Sequence, residues 1–127
     1  MKIRLMLAVL AVAALPTTAA LAEGDAEKGE AVFKKCKACH VVDEAKNRVG
    51  PHLVNTVGRK TASVEGYKYS DAMAAKGTEG VVWDEANLDA YLAKPKDFVP
   101  GTKMTFAGLS KPEDRADVIA YLKSKAQ

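Results

Sequence analysis

Five consecutive residues, Cys36-Lys37-Ala38-Cys39-His40, constrain this chain more than any other stretch. They hold both of its cysteines and one of its two histidines. On a helical turn, residues at i, i+3 and i+4 share one face. Two thiols and an imidazole are thus presented together, with Lys37 and Ala38 pointing away. This C-x-x-C-H pattern is a c-type haem attachment site. Cys36 and Cys39 form thioether bonds to one edge of a porphyrin, and His40 turns under the ring to reach the iron. Other chemistry fits less well. A thioredoxin-like redox pair wants a βαβ setting. A zinc site wants four ligands, and only His52 could join His40. A structural disulfide suits the short spacing poorly and leaves His40 unexplained.

The N-terminus reads as an address. Lys2 and Arg4 form a basic start, Leu5 to Leu15 is an unbroken apolar run, and Ala20-Leu21-Ala22 is a small-residue cleavage signal. This is the pattern of a secretory signal peptide cut after Ala22. The run is shorter than the roughly 20 residues that span a bilayer, and Pro16 ends it. Cleavage leaves residues 23–127, enough for one domain. The formal charge falls from +3 to +1, because Lys2 and Arg4 leave with the leader. A nucleic-acid-binding domain would be far more basic. Export also places the two cysteines where a haem-attaching system can meet them in reduced form.

Along residues 23–127 the pattern is helical. Asp25 caps a helix expected to run to about Cys36, with Gly29 and Phe33 on its packing face. A mid-helix glycine is plausible where another backbone comes close. Val41 to Val49 reads as a loop. Ser70 caps a short helix, Asp71 to Lys76, closed by Gly77, and Val81 to Trp83 reads as extended. Asp84 caps a helix from Glu85 to about Ala93, with Leu88, Tyr91 and Leu92 apolar. Lys94 to Leu109, broken by Pro95 and Pro100-Gly101, reads as an irregular loop. Ser110 and Glu113 match a capping box for a last helix buried through Val118, Ile119 and Leu122. Three main helices, one short one and no convincing strand pair predict an all-α domain.

Haem iron held by His40 keeps one further axial position. His52 would have to cross the ring to fill it. Met73 lies in a helical run, where methionine usually fills core space. Met104 lies in the polar, turn-rich stretch Pro100-Gly101-Thr102-Lys103-Met104, which has little use for a buried thioether unless iron holds it. Met104 is therefore the expected ligand. The other ring nitrogen of His40 needs an acceptor to set its tautomer. A backbone carbonyl near Gly50-Pro51-His52 can serve, and the sequence does not choose among them.

These motifs, taken in order, resemble a class I cytochrome c, most closely the bacterial cytochrome c2 group. The resemblance rests on Gly24-Asp25, Gly29, Phe33, the C-x-x-C-H turn and Gly50-Pro51-His52-Leu53. It continues through Gly58-Arg59-Lys60, Trp83, Tyr91-Leu92, Pro95-Lys96, Pro100 to Met104 and Ala120-Tyr121-Leu122-Lys123. It implies a small all-α fold wrapped around one covalent haem, with His40 and Met104 axial and the Pro51 carbonyl accepting from His40. It implies Arg59, Tyr69 and Trp83 around a buried propionate, Tyr91 and Thr102 near Met104, and Gly29 and Phe33 against the last helix near Tyr121. Where mitochondrial relatives carry an asparagine near the haem, this chain has Met73.

The resulting expectation is a monomeric periplasmic one-electron carrier rather than an enzyme, since six-coordinate iron leaves no substrate site. It would shuttle between membrane redox complexes such as a bc1 complex and a photosynthetic reaction centre or terminal oxidase, without itself crossing the membrane. Lys34, Lys35 and Lys37 flank the attachment turn, and Lys94, Lys96 and Lys103 bracket the Met104 loop. Folding should gather these six around the exposed haem edge as a docking face for an acidic partner.

Overall fold

A computed structural model describes residues 23–127, together with Ala11, Ala13 and Ala14. Apart from those three alanines, the expected leader lies outside the described residues. Five helices follow in order: α1 (Ala26–Phe33), α2 (Asp71–Thr78), α3 (Glu85–Ala93), α4 (Pro95–Phe98) and α5 (Pro112–Ser124). Among the described residues the one β feature is a single bridge between Lys60 and Val82. No helix there is long and apolar enough to cross a membrane.

The N-terminal cap of α1 is Asp25, whose carboxylate accepts from the Glu27 and Lys28 amides. Helix α1 packs most extensively on α5. A Cβ at Gly29 would overlap the Asp117 carbonyl, so only glycine lets the two backbones meet there. Phe33 then stacks at 5.2 Å on Tyr121. The helix ends at Phe33, short of the expected Cys36. Lys34, Lys35 and Cys36 bond instead to carbonyls three residues back, and this tighter winding carries the chain into the attachment turn.

Three other boundaries depart from the sequence reading. Gly77 does not close α2 but lies buried inside it, where a Cβ would stand 2.8 Å from the Thr61 carbonyl oxygen. The chain leaves the helix through Glu79 and Gly80, the latter at φ +79°. Within the expected loop from Lys94 to Leu109, Pro95 opens α4. Proline breaks a helix interior, but at the first position its missing N–H costs nothing. The same effect moves the start of α5. Pro112 occupies its first turn, the cap falls on Lys111 with no side-chain bond, and Ser110 and Glu113 form no capping box. Ser110 instead offers its carbonyl to Arg115 at 3.3 Å. Ser70 and Asp84 cap α2 and α3 as expected.

Two apolar clusters form the core. One gathers Phe33, Val42, Leu109, Val118, Tyr121 and Leu122. The other gathers Trp83, Leu88, Tyr91, Val99 and Ile119. Val57 and Leu92 pack against both and join them. On the far face, α3 and α5 are pinned by Arg115–Asp89 at 2.7 Å and Lys123–Glu85 at 2.5 Å.

Candidate haem site

The attachment turn is built by its own backbone. The Cys39 and His40 amides both bond to the Cys36 carbonyl, at 3.1 and 3.0 Å. Both cysteines are free and partly buried, with no disulfide between them. Burial pushes the Cys36 thiol above its ordinary value, against an opposing pull from Lys35. Cys36 packs beside the first core cluster.

His40 Nδ1 lies 2.7 Å from the Pro51 carbonyl oxygen. A carbonyl can only accept, so the proton sits on Nδ1 and the Nε2 lone pair is free for a metal. The flanking loop fixes this geometry. The Gly50 amide bonds to the Cys39 carbonyl at 2.9 Å, and the Leu53 amide to the Val41 carbonyl at 2.7 Å. Gly50 lies so close to the imidazole that a Cβ there would overlap the ring. Burial lowers the pKa of His40, opposed by the Pro51 bond and reinforced by Arg59. The neutral, ligating form is therefore favoured.

Met104 sits against the second cluster, as Met73 does. The Tyr91 hydroxyl donates to Met104 Sδ at 3.6 Å. The Met104 amide donates to Thr102 Oγ1 at 3.2 Å, and the Thr102 amide to the Val99 carbonyl at 3.0 Å. Burial raises the Tyr91 phenol pKa, while its bond with Thr102 lowers it. Tyr91 is held in turn by Trp83, 4.9 Å away, and Phe98, 5.9 Å away. The expected Tyr91–Thr102–Met104 grouping is thus present. His52 is occupied elsewhere, its Nδ1 accepting from the Val54 amide at 3.3 Å.

Arg59 reaches into the same region. Its two terminal nitrogens donate to Val54 and His52 carbonyls at 2.9 and 3.2 Å. Its Nε is the one buried side-chain polar atom without a partner among the described residues. Burial lowers the Arg59 pKa and the Tyr69 phenol opposes that shift. The Tyr69 hydroxyl accepts from the Val64 amide at 3.0 Å. Trp83 joins Arg59 through the backbone, its amide 2.8 Å from the Arg59 carbonyl oxygen, but its ring packs on Tyr91 and Phe98.

A buried, unsatisfied guanidinium N–H suits an anionic group. Two free thiols at C-x-x-C-H spacing, a neutral imidazole with a free Nε2 and a partly buried thioether suit haem c. The donor set therefore fits that cofactor, and Cys36, Cys39, His40, Met104 and Arg59 are the residues that would hold it.

Of the expected docking lysines, Lys34, Lys35, Lys37 and Lys96 are exposed. Lys94 faces Asp97 at 3.8 Å, with both side chains mostly in solvent. Lys103 is exposed as well, but its Nζ donates to the Lys68 carbonyl at 3.0 Å. Tyr67, which with Tyr69 reads as an aromatic anchor of an irregular loop, donates to the Val49 carbonyl at 3.0 Å. Asn47 escaped the sequence reading: it donates to the Glu65 carbonyl at 3.1 Å and accepts from the His52 amide at 3.1 Å. No spacing rule points to a contact such as Asn47 to Glu65.

The cytochrome c family model matches residues 26–126. The chain is 53% identical over 117 residues to cytochrome c2 of Rhodomicrobium vannielii, covering 91% of each chain. It is 50% identical over 101 residues to cytochrome c2 of Agrobacterium tumefaciens, covering 79% of this chain and 91% of that one. Among solved structures it is similar to cytochrome cH from Methylobacterium extorquens. That match has a TM-score of 0.73 and 49% identity, covering 80% of this chain and 99% of the other.

Proposed function

The chain belongs to the cytochrome c family of haem-bearing electron carriers, and we propose that it works as a periplasmic one-electron shuttle of the cytochrome c2 kind. Residues 1–22 form the leader, cut after Ala22, and residues 23–127 the working domain, which acts as a monomer. When bound, haem c supplies one reversible electron through its Fe(III)/Fe(II) couple.

The protein's part is to hold, bury and present that group. Cys36 and Cys39 carry the thioether bonds. His40 binds iron through Nε2, and Pro51 keeps its ring oriented. Met104 would hold the iron as a second protein ligand, a thioether, which favours the reduced state and raises the potential. Tyr91 and Thr102 steady that side chain. Arg59, with Tyr69 and the Trp83 segment, neutralises a buried propionate. With His40 and Met104 both bound, no coordination site is left for a substrate, so the reading is of a carrier and not an enzyme.

Lys34, Lys35, Lys37, Lys94, Lys96 and Lys103 form the docking face for acidic surfaces of membrane redox complexes. A bc1 complex as donor and a reaction centre or terminal oxidase as acceptor suit this chemistry. The observation that carries the reading is the 2.7 Å contact from His40 Nδ1 to Pro51, which frees Nε2 beside the two thiols. Intact-mass spectrometry of the exported protein tests it. The expected mass is that of Glu23–Gln127 plus one haem, recovered from the periplasmic fraction. A haem-free chain from a host competent in haem attachment would refute it.

A further inference from the structure

Past α5 the chain turns back onto the loop that carries Pro51. The Lys125 and Ala126 amides bond to the Leu122 and Lys123 carbonyls, each at 3.2 Å, and set the direction of this turn. The Gln127 amide then donates to Asn55 Oδ1 at 2.7 Å, and the Gln127 side-chain Nε2 to the Asp43 carbonyl at 2.9 Å. Asn55 offers its oxygen from a left-handed backbone at φ 53°, a conformation in which asparagine is enriched.

The two partners of Gln127 stand on the two limbs that enter and leave Gly50-Pro51. The leaving limb is well fixed. The Leu53 amide bonds to the Val41 carbonyl, the Val54 carbonyl accepts from Arg59, and the Thr56 hydroxyl donates to the Leu53 carbonyl. The entering limb, residues 43–46, is not. All four residues are exposed, and the Lys46 amide bonds only to its near neighbour Glu44. Among the described residues, the one hydrogen bond from this limb to a distant part of the chain is the one that Gln127 donates. The limb leads to Arg48, whose amide holds the Gly50 carbonyl at 2.9 Å, and so to the Gly50-Pro51 pair that wedges the His40 ring.

We propose that Gln127 is a positioning residue for His40: its side-chain amide clamps the otherwise loosely bonded limb at Asp43 and so keeps the Pro51 carbonyl against Nδ1. This rests on the reading of His40 as an iron ligand. The clamp has a rigid base. Gln127 follows α5, which packs on α1 and supplies Val118, Tyr121 and Leu122 to the same cluster as Val42. The limb is thereby referred to the helical core instead of being left to solvent.

The test uses the haem-loaded protein in its reduced, diamagnetic state, with the variants Gln127→Ala, Gln127→Lys and Lys125→Ala. NMR reads hydrogen exchange at the Gly50 amide and at His40 Nδ1. Gln127→Ala keeps the amide bond to Asn55, so the turn stays in place and only the Asp43 carbonyl is released. It should speed both exchanges about five-fold, the factor set by a single hydrogen bond worth about 1 kcal/mol. The Leu88 amide, bonded to Asp84 in α3, should keep its wild-type rate. Gln127→Lys restores a donor and should recover most of the protection. Lys125→Ala removes a side chain that lies over the Tyr121 ring, so it should change neither exchange. If Gln127→Ala matches wild type, if it speeds exchange equally at Leu88, or if Lys125→Ala reproduces its effect, the clamp is overturned while the ligand assignment stands. If the His40 ring protons of the wild-type protein lack the large upfield shifts of an imidazole held over a porphyrin, the ligand assignment itself falls, and the proposal with it.

Discussion

The stretch from Cys36 to Leu53 and the stretch from Thr102 to Leu109 would each place a ligand on the same iron, yet they are held in different ways. In the first, backbone bonds join His40 to Cys36, Gly50 to Cys39 and Leu53 to Val41, and the imidazole is wedged between Gly50 and the Pro51 carbonyl. In the second, side chains do the holding: the Tyr91 hydroxyl meets the sulfur, and Thr102 accepts from the Met104 amide. A segment with few backbone bonds opens locally at lower free-energy cost than one that is densely bonded. The lesson is an asymmetry. The histidine side is a fixed frame that would also carry the covalent attachment. The methionine side is the adjustable one, where substitution should change iron chemistry before it changes the fold.

The largest effect expected from this asymmetry lies at the sulfur itself. Met104→Ala should lower the reduction potential by on the order of 0.1 V, within the roughly 0.8 V range over which axial ligands tune haem. It should also let cyanide or carbon monoxide bind readily, while the helical fold persists. Met73→Leu, on the same cluster, should leave the low-spin methionine-ligated spectrum intact. Potentiometry and absorption spectra decide between them, and the opposite pattern would move the ligand to Met73.

A smaller effect sharpens the contrast in rigidity. Gly50→Ala forces a methyl group into the His40 ring and should cost about 1–3 kcal/mol, the usual penalty for overpacking. Thr102→Val removes the hydroxyl that accepts from Met104 and should cost about 1 kcal/mol. Denaturant unfolding of the two haem-loaded variants measures this. Equal losses would mean that the frame on the histidine side is no more demanding than the loop opposite.

The smallest effect concerns the surfaces. Lys96 is exposed beside the Met104 loop, whereas Lys123 is paired with Glu85 on the α3–α5 face. Lys96→Glu should slow electron transfer with an acidic partner and flatten its salt dependence, since exposed charges are screened beyond about 8 Å at physiological ionic strength. Lys123→Glu should do much less, and neither should move the reduction potential appreciably. Stopped-flow rates across a salt series would expose the failure of this reading if both variants lost equally.

Much of the molecule was legible before any coordinates. The caps Asp25, Ser70 and Asp84 were recognisable because a cap bonds to amides two or three residues away, which spacing alone reveals. The start of α3 at Glu85 was readable for the same reason, and its end at Ala93 falls where the sequence places it approximately, just before Pro95. The misreadings cluster at prolines. Pro95 reads as a break although it starts a helix, and Ser110–Glu113 resembles a cap that Pro112 displaces by one residue. Local rules allow proline both roles, and the packing of Pro95 and Val99 in the core selects one.

By itself the sequence determined the C-x-x-C-H turn, the helical class and the short list of candidate iron ligands, because these depend on residues within one helical turn of each other or on the scarcity of histidine and methionine. Residue spacing left several candidate carbonyls for His40, and the tertiary structure brings Pro51, the one the family resemblance implies, to it. The tertiary structure alone set Gly50 against the imidazole, left Arg59 Nε buried without a partner, and brought the exposed Lys103 to the Lys68 carbonyl. Those contacts join loops far apart in the chain. Their geometry is set by how α1, α3 and α5 pack and bring the loop ends together, and no periodicity in the intervening residues encodes it.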